Sequence, residues 1–363
     1  HRTAGIVAER LREAGYEVTT GMAGTGVVGT LKGGGGDGPT LLLRADMDAL
    51  PIEEATGAPY ASTVPGRMHA CGHDGHVAIG LAVAERLARR RSEISGEVRY
   101  VFQPAEEGMG GARRMVEAGV LDGVDAALGL HIWLDLPLGV VGVVDGPQMA
   151  GSQEFAITVH GRGGHGGLPH GTIDAVLLAS QIVVALQSIV SRNISPLDNA
   201  VVSVGSIRAG SAPNIIAETA YLEGTIRAFR SETLATLRGR ISAVAEGVAQ
   251  ALGGSAEASF ADLLFPPTSN DPELARLVRE TAQEVVSPGE VRADPGVRTM
   301  AAEDFAEFST RVPGCYFFLG AHDEVVGAIH PHHSPYFDIA EDCLPLGVEI
   351  LERAALRFLA ARS

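Results

Sequence analysis

The chain has 363 residues, of which 45% are hydrophobic and 20% are charged, a composition typical of globular proteins that bury a large core and not of disordered chains. Its 28 Lys and Arg residues are outnumbered by 44 Asp and Glu residues, and the net charge of -16 repels polyanions and disfavours nucleic acid as a partner. A chain of this length is too long for one ordinary core, which predicts two domains.

The chain opens at His1, without an initiator methionine and inside a predicted amphipathic helix, so we expect further residues upstream in the full protein. No run of about 18 apolar residues is free of charged or polar interruptions, and no membrane span is expected. The cysteines are Cys71, Cys315 and Cys343, an odd number at wide spacings, which disfavours a disulfide framework. This cysteine usage favours a reducing compartment and predicts a cytoplasmic protein.

From residue 18 to about residue 150, short β-branched or leucine-rich runs alternate with helical periods. The alternation predicts an α/β domain with a mixed, mostly parallel sheet flanked by helices. The predicted helices include a long one after His76 and another from Gly111. The glycine-rich run at 33–38 lies between two strand candidates and lacks the Gly-Lys-Ser/Thr ending of a phosphate loop, so we expect a flexible hairpin connection there.

A different order of elements begins near residue 151, where the sequence reads strand, helix, strand, strand, helix, strand. This order predicts a small ferredoxin-like domain of the β-α-β-β-α-β type over residues 151–262. After the turn-forming stretch at 264–273, helical and strand segments resume, and we expect the C-terminal third to return to the first sheet. The first domain then comprises residues 1–150 and 263–363, and the ferredoxin-like domain is an insertion in it.

Ligating side chains collect at the ends of the predicted strands of the first domain. Because functional sites in open α/β sheets gather at the carboxyl ends of the strands, we expect one edge of the sheet to bring these side chains together. Thiolate, imidazole and carboxylate groups together form a ligand set for zinc-like transition metals. The residues concerned are Asp46, Asp48, Cys71, His73, Glu106, Glu107, His131, His332 and His333.

The segment MHACGHDGH at 68–76 concentrates three histidines and a cysteine. A lone histidine is usually a hydrogen-bonded core or surface residue, and we interpret His69 and His76 in that way. Cys71 and His73 are candidate metal ligands instead, because the acidic and histidine residues elsewhere in the chain are expected to converge on them.

Two carboxylate features have both a functional and a structural interpretation. Of the adjacent Glu106 and Glu107, one could bind a metal while the other takes and returns a proton, although two glutamates after a strand are more often a solvated turn. Asp48 could orient a metal-binding imidazole as an outer acceptor, or could cap a turn before Pro51.

A set of short motifs carries a resemblance to a known family. The motifs are RADMDALP, MHACGHDGH, FQPAEEG, GLH, GRGGHGGLPH, APNIIAETAYLEGTIR, MAAEDF and HHSPYFDI. Together they resemble the amidohydrolase branch of the dinuclear metallopeptidases, which includes hippurate hydrolase, N-acyl-amino-acid hydrolases and indole-acetyl-amino-acid hydrolases. The resemblance runs through essentially the whole chain, and CGHDGH followed by PAEE at this distance is its specific part.

The resemblance implies a centre of two divalent ions, of zinc, manganese, nickel or cobalt, that activates water for attack on an amide, with Glu106 as the general acid and base. His333 is preferred as a ligand over its neighbour His332, because it directly precedes Ser334 and Pro335, although the doublet departs from the usual single histidine and leaves His332 as the alternative. The implied metal ligands are Cys71, His73, Glu107, His131 and His333.

The resemblance also assigns roles to the inserted domain, which is expected to close over the substrate as a lid and to pair subunits in a homodimer or a dimer of dimers. His165 matches a histidine that polarises the substrate carbonyl, often from the neighbouring subunit. Asn214 and Arg227 match positions that bind the carboxylate of the substrate, although Arg227 could also be an ordinary exposed strand arginine.

The expected function is the metal-dependent hydrolysis of N-acyl amino acids to a carboxylic acid and a free amino acid. Alternatives with the same chemistry are a metallo-carboxypeptidase or dipeptidase and an N-acetyl-diaminopimelate deacetylase. A cysteine hydrolase using Cys71 would leave Glu106 and Glu107 without a task. A non-catalytic metal-binding protein is the other alternative, but structural zinc sites usually lack such a share of carboxylates.

Overall fold

The computed structural model describes residues 1–108 and 110–360. The helices are α1 (Arg2–Glu13), α2 (His73–Arg89), α3 (Gly111–Glu117), α4 (Ala175–Asn193), α5 (Ser231–Ala251), α6 (Pro272–Ala282), α7 (Ala306–Ser309) and α8 (Cys343–Ala360). The strands are β1 (Glu17–Met22), β2 (Gly26–Lys32), β3 (Thr40–Asp46), β4 (Glu97–Gln103), β5 (Ala126–Pro137), β6 (Val141–Gly142), β7 (Gly146–Met149), β8 (Gly151–His160), β9 (Gly164–His165), β10 (Ala200–Ala209), β11 (Ile215–Ile216), β12 (Thr219–Ala228), β13 (Ser255–Phe265), β14 (Thr268–Asn270), β15 (Val291–Arg292) and β16 (Gly314–His322).

The chain divides into two compact units. The first unit comprises His1–Gln148, Thr268–Arg298 and Asp304–Ser363, and the second comprises Met149–Pro267 and Thr299–Glu303. The last of these segments departs from the division expected from the sequence, which placed all of 263–363 in the first domain.

Hydrogen bonds within the second unit explain why Thr299–Glu303 belongs to it. The backbone N–H of Ala150 donates to the carbonyl oxygen of Ala301 at 3.0 Å. The guanidinium of Arg227 donates to the carbonyl oxygen of Met300 at 2.9 Å. A segment distant in sequence is thereby attached to the ends of β8 and β12.

The first unit contains the mixed, mostly parallel sheet that the sequence predicts. Within the described residues this sheet has eight strands in the order β1-β2-β4-β3-β5-β16-β6-β15. Strands β4, β3, β5 and β16 run parallel to one another. Strand β2 pairs antiparallel with β4 and with β1, and β6 pairs antiparallel with β16. The parallel strands are nearly continuous apolar runs, because helices cover such strands on both faces. The expected return of the C-terminal third is confirmed by β16, which pairs with β5.

The glycine-rich segment 33–38 is not the hairpin connection that the sequence suggested. Strand β4 lies between β2 and β3, so the two strands that flank the glycines do not pair with each other. The segment instead crosses the backbone that precedes β4, where the N–H of Gly33 donates to Gly96 at 2.8 Å and that of Gly35 donates to Ile94 at 2.9 Å. A Cβ on Gly33 would lie 2.0 Å from the Ile94 carbonyl oxygen, so only glycine fits there.

Helix α2 begins earlier than expected. The sequence suggested a start after His76, whereas the helix starts at His73, directly after Gly72 in a left-handed conformation with φ of 79°. Both His73 and His76 therefore lie in its first turn and are buried. The early start matters for function because it fixes these two imidazoles on a rigid element beside the ends of β3 and β5.

The second unit confirms the predicted β-α-β-β-α-β order. Its sheet has the strand order β10-β12-β8-β13, and all of its neighbouring pairs are antiparallel. Helices α4 and α5 pack against each other and against this sheet. The resulting core includes Phe155, Ile157, Leu178, Ile182 and Leu237.

Helix α4 is long and apolar enough to cross a membrane by length and composition alone, whereas the sequence predicted no membrane span. Its N-cap is Asp174, whose side chain accepts from the N–H of Val176 at 2.9 Å. One face of the helix is buried against the sheet of the second unit through Leu178, Ile182 and Leu186. Packing against the sheet therefore accounts for only part of the apolar character of α4, since 33% of its apolar window is buried.

Candidate metal centre

Several segments of the first unit bring ligating side chains together. Strand β3 ends at Asp46, strand β4 leads into the turn that carries Glu106 and Glu107, and β5 carries His131. The first turn of α2 adds His73. Because β4, β3 and β5 are parallel neighbours, the polar residues at their carboxyl ends lie at the same edge of the sheet.

Among the described residues, five groups of three ligand atoms lie within 4.8 Å of one another, and three of these groups consist only of the expected ligands and the expected general base. The first contains Cys71, His73 and His131, and the second contains Cys71, Glu107 and His333. The third contains His73, Glu106 and Glu107. The five ligands expected from the sequence and the expected general base thus lie together, and Cys71 belongs to two of the groups.

His73 has one nitrogen committed to the protein and one available. Its Nδ1 lies 3.1 Å from the backbone carbonyl oxygen of Asp48, which can only accept, so Nδ1 carries a hydrogen. Its Nε2 is buried and has no hydrogen-bond partner among the described residues. A buried nitrogen without a partner is costly unless a ligand satisfies it, so Nε2 of His73 is a candidate metal ligand.

His131 has the same division between its two nitrogens. Its Nδ1 lies 2.7 Å from the carbonyl oxygen of Ile132 and therefore carries a hydrogen. Its Nε2 lies 3.5 Å from the Cys71 sulfur. Burial lowers the pKa of His131 well below its ordinary value, so the ring is neutral and Nε2 presents a lone pair beside the thiol.

His76 is buried in the same cluster but has no nitrogen to spare. Its Nε2 accepts the backbone N–H of Ile132 at 2.9 Å, so its Nδ1 must carry the hydrogen that is shared with Asp46 at 2.6 Å. Both nitrogens are therefore used within the protein. These bonds agree with the structural role predicted for His76 from the sequence.

The two neighbouring histidines of the 332–333 doublet differ in the same respect. The Nε2 of His332 accepts the backbone N–H of Leu134 at 3.2 Å, which leaves that ring without a free lone pair. The Nε2 of His333 lies 3.1 Å from Oε1 of Glu107. The geometry therefore favours His333 as the candidate ligand, and it does so for a reason that the sequence did not contain.

Backbone strain is concentrated at this site. Among the described residues, the non-glycine residues with positive φ are Ala23, Ala105 at 58° and His333 at 66°. Ala105 directly precedes Glu106, so one of these three residues belongs to the cluster and another adjoins it. Left-handed conformations of this kind cost free energy and persist where the surrounding structure over-determines them, as in binding sites.

Asp48 connects two of the segments that carry ligating side chains. Its Oδ2 accepts the backbone N–H of Glu107 at 3.0 Å, and its own carbonyl oxygen accepts from His73. The carboxylate Oδ1 is 3.5 Å from Nδ1 of His73, which is longer than that backbone contact. Asp48 was expected to orient a metal-binding imidazole through its carboxylate. Instead, its backbone carbonyl orients His73, and its carboxylate holds the turn that carries Glu107.

A buried polar network beneath the cluster was not identified from the sequence. The Arg44 side chain is 0% exposed and donates to Asp46 at 2.6 Å and to Asp304 at 3.1 Å. Gln103 accepts from Arg44 at 2.9 Å and donates to Asp304 at 2.7 Å. Burial would raise the pKa of Asp46, but Arg44 and the neighbouring imidazoles hold it well below its ordinary value. The one feature of the sequence that could have indicated this network is that its residues lie within the motifs that carry the family resemblance.

The electrostatics of the cluster favour bound cations. Burial opposes charge on His73, but Asp46 and Asp48 raise its pKa well above the ordinary value. Cys71 and Glu107 raise the pKa of His333 to about 10. The charges that raise the pKa values of His73 and His333 also attract metal cations to these two rings, and a bound cation displaces the proton. Together with the unpartnered Nε2 of His73 and the sulfur, nitrogen and oxygen donors, these properties fit a pair of transition-metal ions.

The expected substrate residues lie in the second unit and fall into two places. His165 pairs with Ile215 between β9 and β11, and the N–H of Gly166 donates to the carbonyl oxygen of Asn214 at 2.8 Å. Nδ1 of His165 accepts the N–H of Gly167 at 3.0 Å, so Nε2 of this exposed ring carries a hydrogen. His165 is therefore built as a hydrogen-bond donor beside Asn214.

Arg227 lies at the other end of the second unit's sheet. The β9–β11 pair adjoins the end where Thr219 of β12 faces His160 of β8. Arg227 lies eight residues after Thr219 in β12 (227 minus 219). At the usual rise of a strand, this separates the two residues by roughly 26 Å. Within one chain, His165 and Arg227 therefore belong to opposite ends of the second unit's sheet.

Comparisons with known proteins bear on this arrangement. The sequence model of Peptidase family M20/M25/M40 matches residues 42–357. Thermostable carboxypeptidase 1 of Saccharolobus solfataricus is 41% identical over 361 residues, which cover 99% of this chain and 90% of that protein. N-acetylcysteine deacetylase of Bacillus subtilis is 42% identical over 340 residues, which cover 92% of this chain and 84% of that protein. The crystal structure of the Bacillus subtilis YXEP protein, described as a dinuclear metal binding peptidase from the M20 family, matches with a TM-score of 0.85 and 35% identity, covering 99% of this chain and 92% of that one.

Proposed function

The chain belongs to Peptidase family M20/M25/M40, and on that premise we propose that it hydrolyses the amide bond of N-acyl amino acids. It is a metal-dependent amidohydrolase with a dinuclear centre. The observation that supports the proposed ligand set is the state of the ring nitrogens, because His73 and His131 each bind a backbone carbonyl through Nδ1 and leave Nε2 for a metal. The proposed ligands are Cys71, His73, Glu107, His131 and His333.

In the proposed reaction, Glu106 is the group that moves the proton. When bound, two divalent ions supply the Lewis acidity that makes water nucleophilic near neutral pH and polarise the amide carbonyl. Glu106 takes a proton from the attacking water and passes it to the departing amine. The neighbouring Glu107 is held by its N–H bond to Asp48, so that the two adjacent carboxylates can have different tasks.

The amino-acid part of the substrate is proposed to be bound by the second unit. The guanidinium of Arg227 is partly buried and can bind a carboxylate, while its bond to the Met300 carbonyl limits its freedom. Asn214 adds an amide for the same carboxylate, and the Nε2 hydrogen of His165 is suited to donate to the substrate carbonyl oxygen. These three residues support a substrate with an amide next to a free carboxylate.

We propose a homodimer, and the separation of residues within the second unit supports it. Because His165 and Arg227 lie at opposite ends of one sheet, a single substrate can meet both only if one of them comes from another subunit. We propose that His165 and Asn214 reach the site of the neighbouring subunit, while Arg227 serves its own chain. The three cysteines are free and buried, which supports the proposal of a reducing, cytoplasmic location.

A peptidase with the same centre is the second candidate function, because a relative 41% identical to this chain is named as a carboxypeptidase. Peptides and N-acyl amino acids share a terminal amide beside a carboxylate, and differ in what precedes that amide. A cysteine hydrolase is disfavoured, since burial raises the pKa of Cys71 and disfavours a thiolate without a metal.

The experiment that tests the proposal is a substrate screen with the metal-reconstituted protein. The panel contains N-acetyl, N-benzoyl and indole-acetyl amino acids together with dipeptides and carboxypeptidase substrates, and release of the free amino acid is measured. The expected result is hydrolysis of N-acyl amino acids that is abolished by a chelator and restored by Zn²⁺, Mn²⁺, Co²⁺ or Ni²⁺. Activity confined to peptides would favour the second candidate. Activity that survives chelation but not thiol alkylation would overturn the metal mechanism.

A further inference from the structure

His332 is a histidine of the cluster for which the proposed mechanism has no task. Its ring is packed between aromatic neighbours, with centroid distances of 4.8 Å to Trp133 and 5.1 Å to Phe337. The ring of His131 approaches it edge-on at 5.3 Å. These contacts limit the orientations that the imidazole can adopt.

The backbone of β5 determines which nitrogen of His332 carries the hydrogen. The N–H of Leu134 points at Nε2 from 3.2 Å, and a backbone N–H can only donate. Nε2 must therefore present its lone pair to Leu134. In the neutral ring the hydrogen then resides on Nδ1, so that Nδ1 is a donor and not a metal ligand.

The donor of His332 is directed at a sulfur atom. Its Nδ1 lies 3.8 Å from Sγ of Cys71, within the range of a hydrogen bond to sulfur. Cys71 is 8% exposed, so water has little access to this sulfur. His131 approaches the same sulfur through Nε2 at 3.5 Å, but that nitrogen carries a lone pair and cannot stabilise a thiolate.

We propose that His332 is a positioning residue, which donates a hydrogen bond from Nδ1 to the Cys71 sulfur and so orients and stabilises the thiolate that binds metal. The inference rests on the metal centre proposed above, in which Cys71 is a ligand. The chain Leu134 N–H, His332 and Cys71 then connects β5 to the sulfur through one fixed tautomer.

The consequence for the metal centre follows from the chemistry of thiolates. A hydrogen bond to a bound thiolate lowers the energy of the sulfur lone pairs and fixes the direction from which they bind. Partners of this kind behind a ligand typically contribute 10-fold to 100-fold to metal affinity. Since Cys71 belongs to two of the ligand groups, its orientation affects both proposed ions.

The experiment compares three forms of the full chain after loading with Co²⁺: the wild type, His332→Phe and His332→Asn. Phenylalanine keeps the packing against Trp133 and Phe337 but has no donor, whereas the amide nitrogen of asparagine lies near the place of Nδ1 and restores the donor. His332→Leu is measured alongside in case the phenylalanine variant does not fold, and circular dichroism checks folding. The readouts are the number of bound cobalt ions, their affinity by chelator competition, and the sulfur-to-cobalt charge-transfer band.

The expected result for His332→Phe is two bound cobalt ions, an affinity lowered by about 10-fold to 100-fold, and a charge-transfer band shifted to longer wavelength. His332→Asn should recover much of both effects. Loss of one cobalt ion from both variants would make His332 a ligand and overturn the inference. An unmoved band with unchanged affinity in the phenylalanine variant would overturn it alone, whereas a wild type without any thiolate band would overturn the proposed metal centre as well.

Discussion

The backbone N–H of Glu107 donates a hydrogen bond to Oδ2 of Asp48 at 3.0 Å. This bond joins the segment after β3 to the turn after β4, and the carbonyl oxygen of Asp48 holds His73 at the same time. One residue thus fixes the relative position of two proposed ligands that are 34 residues apart, from 73 to 107.

Replacing Asp48 by alanine should therefore weaken metal binding without removing a ligand. The turn that carries Glu107 loses its acceptor, and we expect an affinity lower by about 10-fold to 100-fold, as for other residues that orient ligands. Chelator competition with the purified protein measures the change. Asp48→Asn keeps an oxygen that can accept from Glu107 and is the matched control. Equal affinities in all three proteins would show that the turn is held by other contacts.

Glu106 and Glu107 are adjacent, yet the proposed mechanism gives them different tasks, and the same substitution should separate them. Glu106→Gln is expected to lower kcat by roughly two to four powers of ten while two metal ions remain bound. Glu107→Gln should instead lower the metal content, because an amide is a poorer ligand than a carboxylate. Metal analysis of both variants after gel filtration, together with kcat at saturating metal, distinguishes the two effects. Reversed results would exchange the proposed roles.

The Arg44 network should matter for stability more than any exposed ion pair of the first unit. Arg44→Met leaves the buried Asp46 and Asp304 without their guanidinium, and removal of one partner from a buried pair costs about 3 to 5 kcal/mol. Urea unfolding of the metal-free protein measures the loss. Arg276→Met is the control, because its pair with Glu280 is exposed and should contribute about 0.5 kcal/mol or less. Similar small losses in both variants would mean that the network contributes little.

The close approach at Gly33 predicts a stability effect in an exposed loop. Gly33→Ala would place a Cβ 2.0 Å from the carbonyl oxygen of Ile94, and relief of that overlap should cost about 1 to 3 kcal/mol. Gly5→Ala, in helix α1 with nothing within 4 Å of the added Cβ, should instead stabilise by about 0.5 to 1 kcal/mol. Thermal unfolding of the two variants tests whether the first substitution lowers stability and the second raises it. A neutral Gly33→Ala would mean that the loop is free to move away.

The order of helices and strands was predictable because it depends on local periodicity. Buried parallel strands such as β3 appear in the sequence as continuous apolar runs. The inserted unit can be recognised from its order of strands and helices. Which strands become neighbours depends on contacts between distant parts of the chain, and one such pairing was predicted wrongly from the sequence. The glycines at 33–38 suggested a hairpin, but β4 occupies the place between β2 and β3.

The composition of the cluster could be anticipated, whereas the state of each ring could not. Residue type and motif spacing predicted His73 and His131 as ligands. The backbone carbonyls of Asp48 and Ile132 determine which nitrogen of each imidazole ring is free. Likewise, the N–H of Leu134, nearly two hundred residues away in the chain, separates His332 from His333. Such partners are set by tertiary structure, and no local pattern encodes them.

The separation of His165 from Arg227 predicts that two different inactive variants complement each other. Glu106→Gln inactivates the site of its own chain, whereas His165→Ala is proposed to inactivate the site of the neighbouring chain. After the two variants are mixed, partially dissociated and reassociated, half of the dimers should be mixed, and each mixed dimer should contain one site with both Glu106 and His165. About a quarter of wild-type activity should therefore return.

Two controls make this result specific to a shared site. Each variant taken alone through the same dissociation and reassociation should stay inactive, because all of its sites lack one of the two groups. A mixture of Glu106→Gln with Glu107→Gln should also stay inactive, because both changes affect the site of the chain that carries them. If the first mixture remained inactive although mass spectrometry detected mixed dimers, His165 would act within its own chain. The roughly 26 Å between the ends of β12 would then require Arg227 to have a task other than binding the same substrate.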